Sequence, residues 1–482
     1  MTDLAKPPPD ALPLDLKLKG PPRGRSGAWY LVRLCFVASL GGFLFGFDTA
    51  VISGTVSMVE RQFALSKILV GWFGSSALLG CIPGAAVAGW LSDRYGRKPT
   101  LIAASLLLFI SALYSMIPPS FAVLTWARAV GGIGVGMASV IAPMYISEFA
   151  PPRLRGRLVA LFQLSIVLGI LIAYLSNWLL SQYRAGYSEA IANPGFFQWI
   201  TVNEAWRSMF GMETVPAALF FLLLFLIPES PRWLVKAGRN ERAMRILTAV
   251  EGPAAGTEMT AIQDSLSQQS GSIRELLQPG LRLALIVGVG LSFFGQLTGV
   301  NIVVYYGETI LKGSGLATSF QWMVVLGLVN LIGTVIAVWK IDSWGRRPLL
   351  IGGMAAVTVA LGLVGLFMLI QAPPVLVALL ICAYMGFLAV SICGVIWVLT
   401  PEIFPTRLRG RAASIATFVN WSTNMLTALI FPWYAATFGT HTAMFTLAGV
   451  CAVATYFFFR LVPETKGKTL EEISRRMERG VA

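Results

Sequence analysis

Charge is scarce in this chain. Of its 482 residues only 12% are charged, while 56% are hydrophobic. A soluble domain carries about 25% charged residues, so this composition excludes an ordinary soluble protein. The sequence indicates an integral membrane protein.

Residues for metal and nucleophile chemistry are also scarce. The chain has one histidine, His441, with no cluster of acids around it in the sequence, which argues against an intramembrane enzyme. No G-x-x-x-x-G-K-[ST] loop occurs, which argues against an ATP-driven pump. We therefore expect neither a metal nor a cofactor. The five cysteines lie in apolar runs without metal-ligand or redox spacing, and we expect them to be packing residues: Cys35, Cys81, Cys382, Cys393 and Cys451.

The first 29 residues lack the features of a signal peptide. They contain Pro7-Pro8-Pro9 and scattered Lys and Arg, with no apolar core and no small-residue cleavage site. This pattern predicts a cytoplasmic tail.

Long apolar runs recur along almost the whole sequence. Each has about 20 residues, enough for a helix to cross a hydrocarbon core of about 30 Å. The sequence therefore predicts an all-α membrane protein with twelve transmembrane helices. The predicted spans are 31–54, 68–91, 99–117, 122–145, 158–180, 207–227, 281–310, 319–340, 348–370, 375–399, 411–433 and 442–461.

Basic residues are concentrated in alternate loops. A net charge of +14 would suggest a nucleic-acid partner for a soluble chain. Here residues such as Arg94, Arg153, Arg232 and Arg407 alternate with loops that hold few basic residues. By the positive-inside rule both termini and the loop after span six are cytoplasmic, and no nucleic-acid partner is needed to explain the charge.

Three motifs occur twice, in the same order. The pairs are Gly89 to Lys98 with Lys340 to Arg347, Glu148 to Arg157 with Glu402 to Arg411, and Pro228 to Arg232 with Pro463 to Gly467. Such repetition predicts two parallel, pseudo-symmetric six-helix bundles, an architecture of transporters with a site between the repeats. Helical patterns between the bundles predict short amphipathic cytoplasmic helices. The predicted units are a tail (1–29), a bundle (30–228), a linker (229–279), a second bundle (280–462) and a tail (463–482).

The charged repeats predict a gating clamp on the cytoplasmic side. Acids and arginines there can form ion pairs with the neighbouring half that hold the cytoplasmic ends shut when the cavity faces outward. A network can set the balance between two states even though single exposed pairs are weak. The alternative is that these charges only set topology. The candidate members are Asp93, Arg94, Arg97, Glu148, Arg155, Glu229, Arg232, Asp342, Arg346, Glu402, Arg409 and Glu464.

Asp48 places a carboxylate inside the first apolar run. A charged side chain near the centre of a membrane helix costs about 2.5–3.5 kcal/mol on insertion scales. Such a residue usually has a partner, faces a cavity and serves a function. We therefore expect Asp48 to take part in the function of the protein.

Four motifs stand out together: Asp93 to Lys98, Pro228 to Leu234, Gln296 to Asn301 and Pro463 to Gly467. In combination they resemble the sugar porter family of the major facilitator superfamily. The resemblance extends from span one to the C-terminal tail. It implies alternating access of two bundles around a central sugar site.

The resemblance implies a set of sugar-binding side chains. Amides offer both donors and acceptors to hydroxyl groups, and an indole covers the apolar face of a pyranose. An intramembrane amide can instead bridge two helices. The matching positions are Gln163, Gln296, Asn301, Asn330, Trp397 and Asn420.

A second implied set lines or gates the pocket. For Phe45 core packing is the alternative role, and Gly295, Gly299, Gly394 and Pro401 would let spans seven and ten break and bend as gates. The implied pocket and gate residues are Phe45, Tyr305, Tyr306 and Trp421.

The resemblance also implies proton coupling. Proton-coupled members pair an aspartate of the first helix with an arginine of the fourth, here Asp48 and Arg128, whereas facilitators carry a neutral residue at the first position. A conformational change that separates the two can make the aspartate take up or release a proton. Glu213 matches a further family carboxylate. The alternative is a permanent ion pair that only holds helices together.

The sequence departs from the family pattern in the pocket. Gly295 stands where a second glutamine is usual, and Ile392 to Trp397 lacks the usual Gly-Pro pair. The sequence therefore does not identify the sugar.

We interpret the chain as a secondary active transporter that imports a monosaccharide or polyol with protons. A passive facilitator of the same fold is the alternative. A sugar sensor is disfavoured, because such receptors use a long cytoplasmic extension and about 20 residues follow Pro463. We expect a monomer in the lipid bilayer of a bacterial inner membrane.

Overall fold

The computed structural model describes residues 26–151, 154–267, 275, 277–404 and 408–466. Within these residues the regular elements are helices. Eleven of the described helical segments are long and apolar enough to cross a membrane. The predicted all-α membrane architecture is therefore confirmed.

Six membrane segments form the N-terminal half. The sixth is split into α7 and α8 at Met212 and Glu213, and the short α6 and a π-helical turn (Trp199–Asn203) precede it. The helices are α1 (Ser26–Gln62), α2 (Lys67–Tyr95), α3 (Arg97–Met116), α4 (Phe121–Phe149), α5 (Arg155–Ala185), α6 (Phe196–Gln198), α7 (Ala205–Gly211) and α8 (Thr214–Leu224).

Three short helices join the halves. They are α9 (Pro231–Lys236), α10 (Asn240–Glu251) and α11 (Ala255–Ser267). Trp233, Leu247 and Met259 form part of a small hydrophobic core of their own. This agrees with the prediction of short amphipathic helices between the halves. We call the face where α1 begins and α9 follows α8 the linker face, and the face where α1 ends and α2 begins the far face.

The C-terminal half repeats the arrangement with two broken segments. Its helices are α12 (Pro279–Leu297), α13 (Val300–Gly313), α14 (Ser319–Trp344), α15 (Arg346–Leu369), α16 (Pro374–Val390), α17 (Ile392–Glu402), α18 (Arg409–Phe438) and α19 (Thr440–Leu461).

The helix α18 occupies the predicted eleventh span but is less apolar than the other segments. It is 30 residues long, which is enough to cross a bilayer. Its middle contains Asn420, Ser422, Thr423 and Asn424, and its apolar content is correspondingly low. Polar side chains at this depth are tolerated where they face other helices or a cavity.

Spans seven and ten are both broken, as predicted. The break in span seven lies at a predicted glycine, whereas the break in span ten does not lie at Gly394 or Pro401. Between α12 and α13, Gly299 has φ +83, a backbone conformation that favours glycine. Span ten instead breaks at Ser391, where ψ is −105. Gly394 and Pro401 lie within α17. Gly394 serves close packing, because a Cβ atom there would lie 2.7 Å from the Ala337 side chain.

The two halves touch near the far face at positions that lack side chains. A Cβ atom on Gly71 of α2 would lie 2.0 Å from the Leu429 carbonyl oxygen of α18. A Cβ atom on Gly74 would lie 1.9 Å from the Tyr306 hydroxyl. Across a second contact, the Tyr174 hydroxyl of α5 donates to the Val304 carbonyl oxygen of α13 at 3.2 Å. The far face is therefore closed in this structure.

Candidate functional site

An ion pair lies at the centre of the N-terminal half. Arg128 of α4 donates from Nη1 to Asp48 Oδ1 of α1 at 3.3 Å, and its Nη2 lies 3.5 Å from the Asp48 carbonyl oxygen. Asp48 is 6% exposed and Arg128 is 2% exposed. The guanidinium also lies 5.1 Å from the Phe210 ring centre. Two charges predicted from separate spans are therefore brought together in a buried site.

Glu213 lies close to this pair. It sits at the break between α7 and α8 and is 3% exposed. Asp48 and Arg128 are near enough for their charges to act on its carboxyl group. A broken helix at this point lets a carboxyl group enter the interior without belonging to a regular helical face.

A small cavity connects the ion pair with the opposite half. Its wall includes Phe45, Asp48 and Arg128 from the N-terminal half, and Tyr305 and Trp421 from the C-terminal half. The rings of Phe45 and Trp421 are 5.4 Å apart. Three of the four predicted pocket and gate residues therefore surround the same space as the predicted proton site.

Tyr306 has a different position. Its hydroxyl donates to the Ala428 carbonyl oxygen at 2.8 Å, and its ring stacks on Phe431 at 5.5 Å. It fills the contact with Gly74 described above and is 2% exposed. Tyr306 therefore closes the far face rather than lining the cavity.

Three predicted sugar ligands form one chain of amides. Asn301 Nδ2 donates to Gln296 Oε1 at 2.6 Å, and Gln296 Nε2 donates to Asn420 Oδ1 at 2.8 Å. The break at Gly299 brings Asn301 beside Gln296, although the two lie on different helices. Each amide retains hydrogen-bonding capacity beyond these two bonds. The cluster can therefore bind several hydroxyl groups.

The remaining predicted sugar ligands are placed separately. Gln163 is half-buried on α5, and Asn330 is 6% exposed on α14. These two helices belong to opposite halves and pack against each other. The side chain of Trp397 lies outside the described residues.

Gly295, the position of the missing glutamine, faces apolar side chains. A Cβ atom there would lie 3.2 Å from Ile396 Cδ1 and 3.6 Å from Ile392 Cδ1, both on α17. A longer side chain would have to displace these isoleucines. The loss of the amide is therefore matched by apolar packing in the same half.

On the linker face, acids and arginines of the N-terminal half form one network. Arg97 lies 3.0 Å from Glu148 and 3.1 Å from Asp93, and Lys236 lies 3.0 Å from Asp93. Glu229 accepts from the Arg97 backbone N–H at 2.9 Å. Burial raises the pKa of Glu229 to about 7, although backbone N–H groups oppose this effect.

The C-terminal half has a contact that matches the one at Glu229, and both of its partners belong to the C-terminal half. Glu464 accepts from the backbone N–H groups of Arg346 at 3.2 Å and Arg347 at 3.1 Å. Arg94 stacks on Trp90 and Tyr95 of its own half. Arg232 is exposed. The side chains of Arg155, Asp342, Glu402 and Arg409 lie outside the described residues.

The predicted pairing between halves belongs to a carrier whose cavity faces outward, and this structure, closed at the far face, does not test it. Within the described residues, the hydrogen bonds and ion pairs of Arg97, Glu148, Glu229 and Glu464 join groups of the same half. The physical reason for pairing within each half is that this structure is closed at the far face. The halves contact each other near the far face, and alternating access requires the opposite ends to separate when the far face is closed.

Replacing Arg97 with methionine should destabilise the folded protein. Glu148 has a side-chain exposure of only 6%, and removing one partner of a buried pair costs about 3–5 kcal/mol. Arg94→Met is the matched control, because an exposed cation on an aromatic ring contributes only about 0.5–1 kcal/mol. Thermal unfolding in detergent measures both. Equal losses of Tm in the two variants would contradict the network.

Asn424 and Glu308 are among the buried polar residues that the sequence interpretation did not single out. Asn424 donates to the Tyr305 hydroxyl at 3.2 Å and lies one turn from Asn420. Glu308 of α13 is 1% exposed. The signal for Glu308 was the one used for Asp48, an acid within an apolar run.

Comparison with known proteins places this architecture in a family. The family model described as "Sugar (and other) transporter" matches residues 34–477. The chain is 38% identical over 451 residues to the arabinose-proton symporter of Bacillus subtilis, covering 92% of this chain and 95% of that protein. It is 36% identical over 487 residues to the D-xylose-proton symporter of Escherichia coli, covering 93% and 96%.

A solved structure agrees with the fold. The inward-open conformation of the Escherichia coli xylose transporter superposes with a TM-score of 0.79 at 34% identity, covering 92% of this chain and 99% of that one. An inward-open relative is consistent with the closed far face. From the family match, the two relatives and this superposition together, the chain belongs to the sugar transporter family.

Proposed function

We propose that this protein imports a monosaccharide or related polyol together with protons by alternating access. The observation that carries the proposal is the Asp48–Arg128 pair, buried beside a cavity at the interface of the two halves. Relatives that are 36–38% identical along more than nine-tenths of the chain are named as proton symporters of arabinose and D-xylose. The sugar carried by this chain is left open.

The sugar and proton sites share a wall. Phe45 and Asp48 lie one turn apart on α1, and Phe45 packs against Trp421, the neighbour of Asn420. A sugar bound by the amide cluster acts on the position of Trp421. Through Phe45 that change reaches the helix that carries Asp48.

The proton step follows from separating Asp48 and Arg128. A nearby guanidinium favours the ionised carboxylate, whereas burial without it favours the neutral acid. Movement of α1 relative to α4 therefore makes Asp48 take up a proton, and their renewed approach releases it. The charges of Asp48 and Arg128 act on the carboxyl group of Glu213, so Glu213 belongs to the same group of ionisable side chains.

We assign the linker face to the cytoplasm on the basis of its basic residues. The far face is then extracellular, and the structure corresponds to a carrier closed to the outside. We further propose that the protein acts as a monomer in a bacterial inner membrane.

A passive facilitator remains the second candidate, and sugar-evoked proton movement separates the two. In proteoliposomes without an imposed gradient, adding sugar to the outside of a symporter should raise the external pH. A facilitator should transport the sugar with no pH change. A panel of monosaccharides and polyols, screened by thermal stabilisation of the purified protein, would supply the substrate.

Asn420→Ala should weaken sugar binding by about tenfold to a hundredfold. The substitution removes an amide of the proposed sugar site that also positions Gln296, and a sugar hydroxyl left without its partner in the bound state costs about 1–3 kcal/mol. The concentration of sugar that gives half-maximal thermal stabilisation measures the loss. Asn240→Ala, on the exposed side of α10, is the control and should leave binding unchanged. Unchanged binding in Asn420→Ala would contradict a sugar site at the amide cluster.

A further inference from the structure

Glu308 is a second buried carboxyl group, and the transport cycle described above does not use it. It lies on α13 in the C-terminal half and is 1% exposed. The residue is five positions before the end of α13 at Gly313, about 7.5 Å along the helix axis. It is therefore near the far face yet shielded from water in the closed structure.

One oxygen of the Glu308 carboxyl group has a partner and the other has none. Oε1 accepts from the Ser319 hydroxyl at 3.1 Å. Oε2 is buried, and no described residue forms a hydrogen bond with it. A buried polar atom left unpaired in this way is costly unless the site serves a purpose.

Two cations face Glu308 without forming an ion pair with it. Lys312 lies one turn further along α13, and Arg61 lies at the end of α1 in the opposite half. Among the described residues, neither nitrogen comes within the 4.0 Å of an ion pair with this carboxyl group. Arg61 instead donates from Nε to the Ser57 carbonyl oxygen at 3.0 Å. The carboxyl group is therefore enclosed without direct neutralisation.

The enclosure depends on contact between the two halves. The helix α13 packs against α1, and the Val304 carbonyl oxygen of α13 accepts from Tyr174 of α5. In the alternating access proposed above, opening of the far face would separate α13 from α1 and α5 and would admit water to Glu308. Closing of the far face removes that water again.

Burial of an ionised carboxylate without a paired cation costs several kcal/mol, whereas a neutral carboxyl group costs far less. We propose that Glu308 is a second proton-binding site, which takes a proton from the extracellular solution as the far face closes and returns it there on opening. The proton occupies Oε2, and Oε1 keeps its bond from Ser319. No net transport results, so external acidity favours closure without changing the proton-to-sugar ratio. The direction of the effect rests on the proposed extracellular position of the far face.

The experiment measures closure of the far face directly, without sugar and without a gradient. Spin labels on Ser66→Cys and Ala436→Cys, both exposed near the far face and on opposite halves, report the separation of the halves. The purified full chain carries Asp48→Asn and Glu213→Gln, so that these acids contribute nothing. One coupled proton changes the ratio of closed to open carriers by up to about tenfold per pH unit.

In this background the closed population should grow as the pH falls from about 8 to about 5. Adding Glu308→Gln should remove the pH dependence and keep the far face closed. Glu60→Gln is the matched control, because Glu60 lies near the far face on α1 and pairs with Lys67; it should leave the pH dependence intact.

Several outcomes would overturn the proposal. If Glu308 only anchors Ser319, glutamine preserves the anchor, and the closed population of Glu308→Gln changes with pH as it does in the Asp48→Asn, Glu213→Gln background. Absence of any pH dependence in that background also excludes the site. Size-exclusion profiles identify a misfolded variant, and Glu308→Ala then replaces Glu308→Gln with the same expected loss of titration. Because Asp48 is already absent, failure here leaves proton-coupled import untouched, and failure of import leaves this result standing.

Discussion

Asp48→Asn should abolish accumulation of sugar against its gradient while preserving exchange of sugar across the membrane. Asparagine cannot take up the proton that couples the two fluxes, but it retains the shape of the side chain beside Arg128. One pH unit stores about 1.4 kcal/mol, enough for about tenfold accumulation with one proton per sugar. Proteoliposomes with an imposed gradient should reach that ratio for the unmodified protein and a ratio of about one for Asp48→Asn.

Glu60→Gln serves as the control for this experiment. Glu60 lies on the same helix, but it is partly exposed and pairs with Lys67, so its neutralisation should leave accumulation intact. Gradient-driven accumulation that survives in Asp48→Asn would refute the coupling assignment.

A purely structural ion pair predicts a different pattern. For either role, neutralising Asp48 leaves the buried Arg128 without its ionised partner and lowers stability, by up to about 3–5 kcal/mol. For a purely structural pair, exchange in Asp48→Asn would fall together with stability instead of being preserved. Removing both charges, with Asp48→Asn and Arg128→Gln, would restore them. Recovery of gradient-driven accumulation in that double variant would favour the structural role.

Gly71→Leu should stop sugar exchange without unfolding the protein. A Cβ atom at this position would lie 2.0 Å from the backbone oxygen of Leu429 in the opposite half. The clash disappears when the halves separate at the far face, so the variant should remain open there. Overpacking costs about 1–3 kcal/mol, which predicts a tenfold to hundredfold loss of closed carriers and of exchange. Counterflow of labelled sugar measures this loss.

Gly132→Leu is the matched comparison. A Cβ atom on Gly132 would lie 1.8 Å from the Ala77 carbonyl oxygen, but α2 and α4 belong to the same half. No movement of one half against the other relieves this clash, so the yield of folded protein should fall. Loss of folded protein in Gly71→Leu as well would contradict a contact that forms only in one state.

The two halves and one of the helix breaks could be predicted from local sequence patterns. The repeated charged motifs identified two halves because each motif lies at a helix end whose position along the chain is local information. The break at Gly299 was also local, since a positive φ favours glycine. Ser391 carried no such signal, and the span-ten break there depends on its neighbours in space.

The site shows the same division. Amides and acids in apolar runs could be recognised one by one, because each is costly in hydrocarbon and needs a reason. The grouping of these side chains in space could not be recognised from the sequence. The bond from Gln296 to Asn420 joins residues 124 positions apart, and the clamp partners depend on which face of the carrier is closed.

The sequence by itself determined that this protein spans a membrane and that it consists of two repeated bundles, and it predicted a functional role for Asp48. These follow from hydropathy, repetition and the cost of charge in an apolar run, all of which are properties of short segments. Only the tertiary structure decided that Asp48 meets Arg128, that Arg97 and Glu464 have partners within their own halves, and that Glu308 is enclosed at the far face. Each of these depends on distances between helices, which the packing of the whole chain sets.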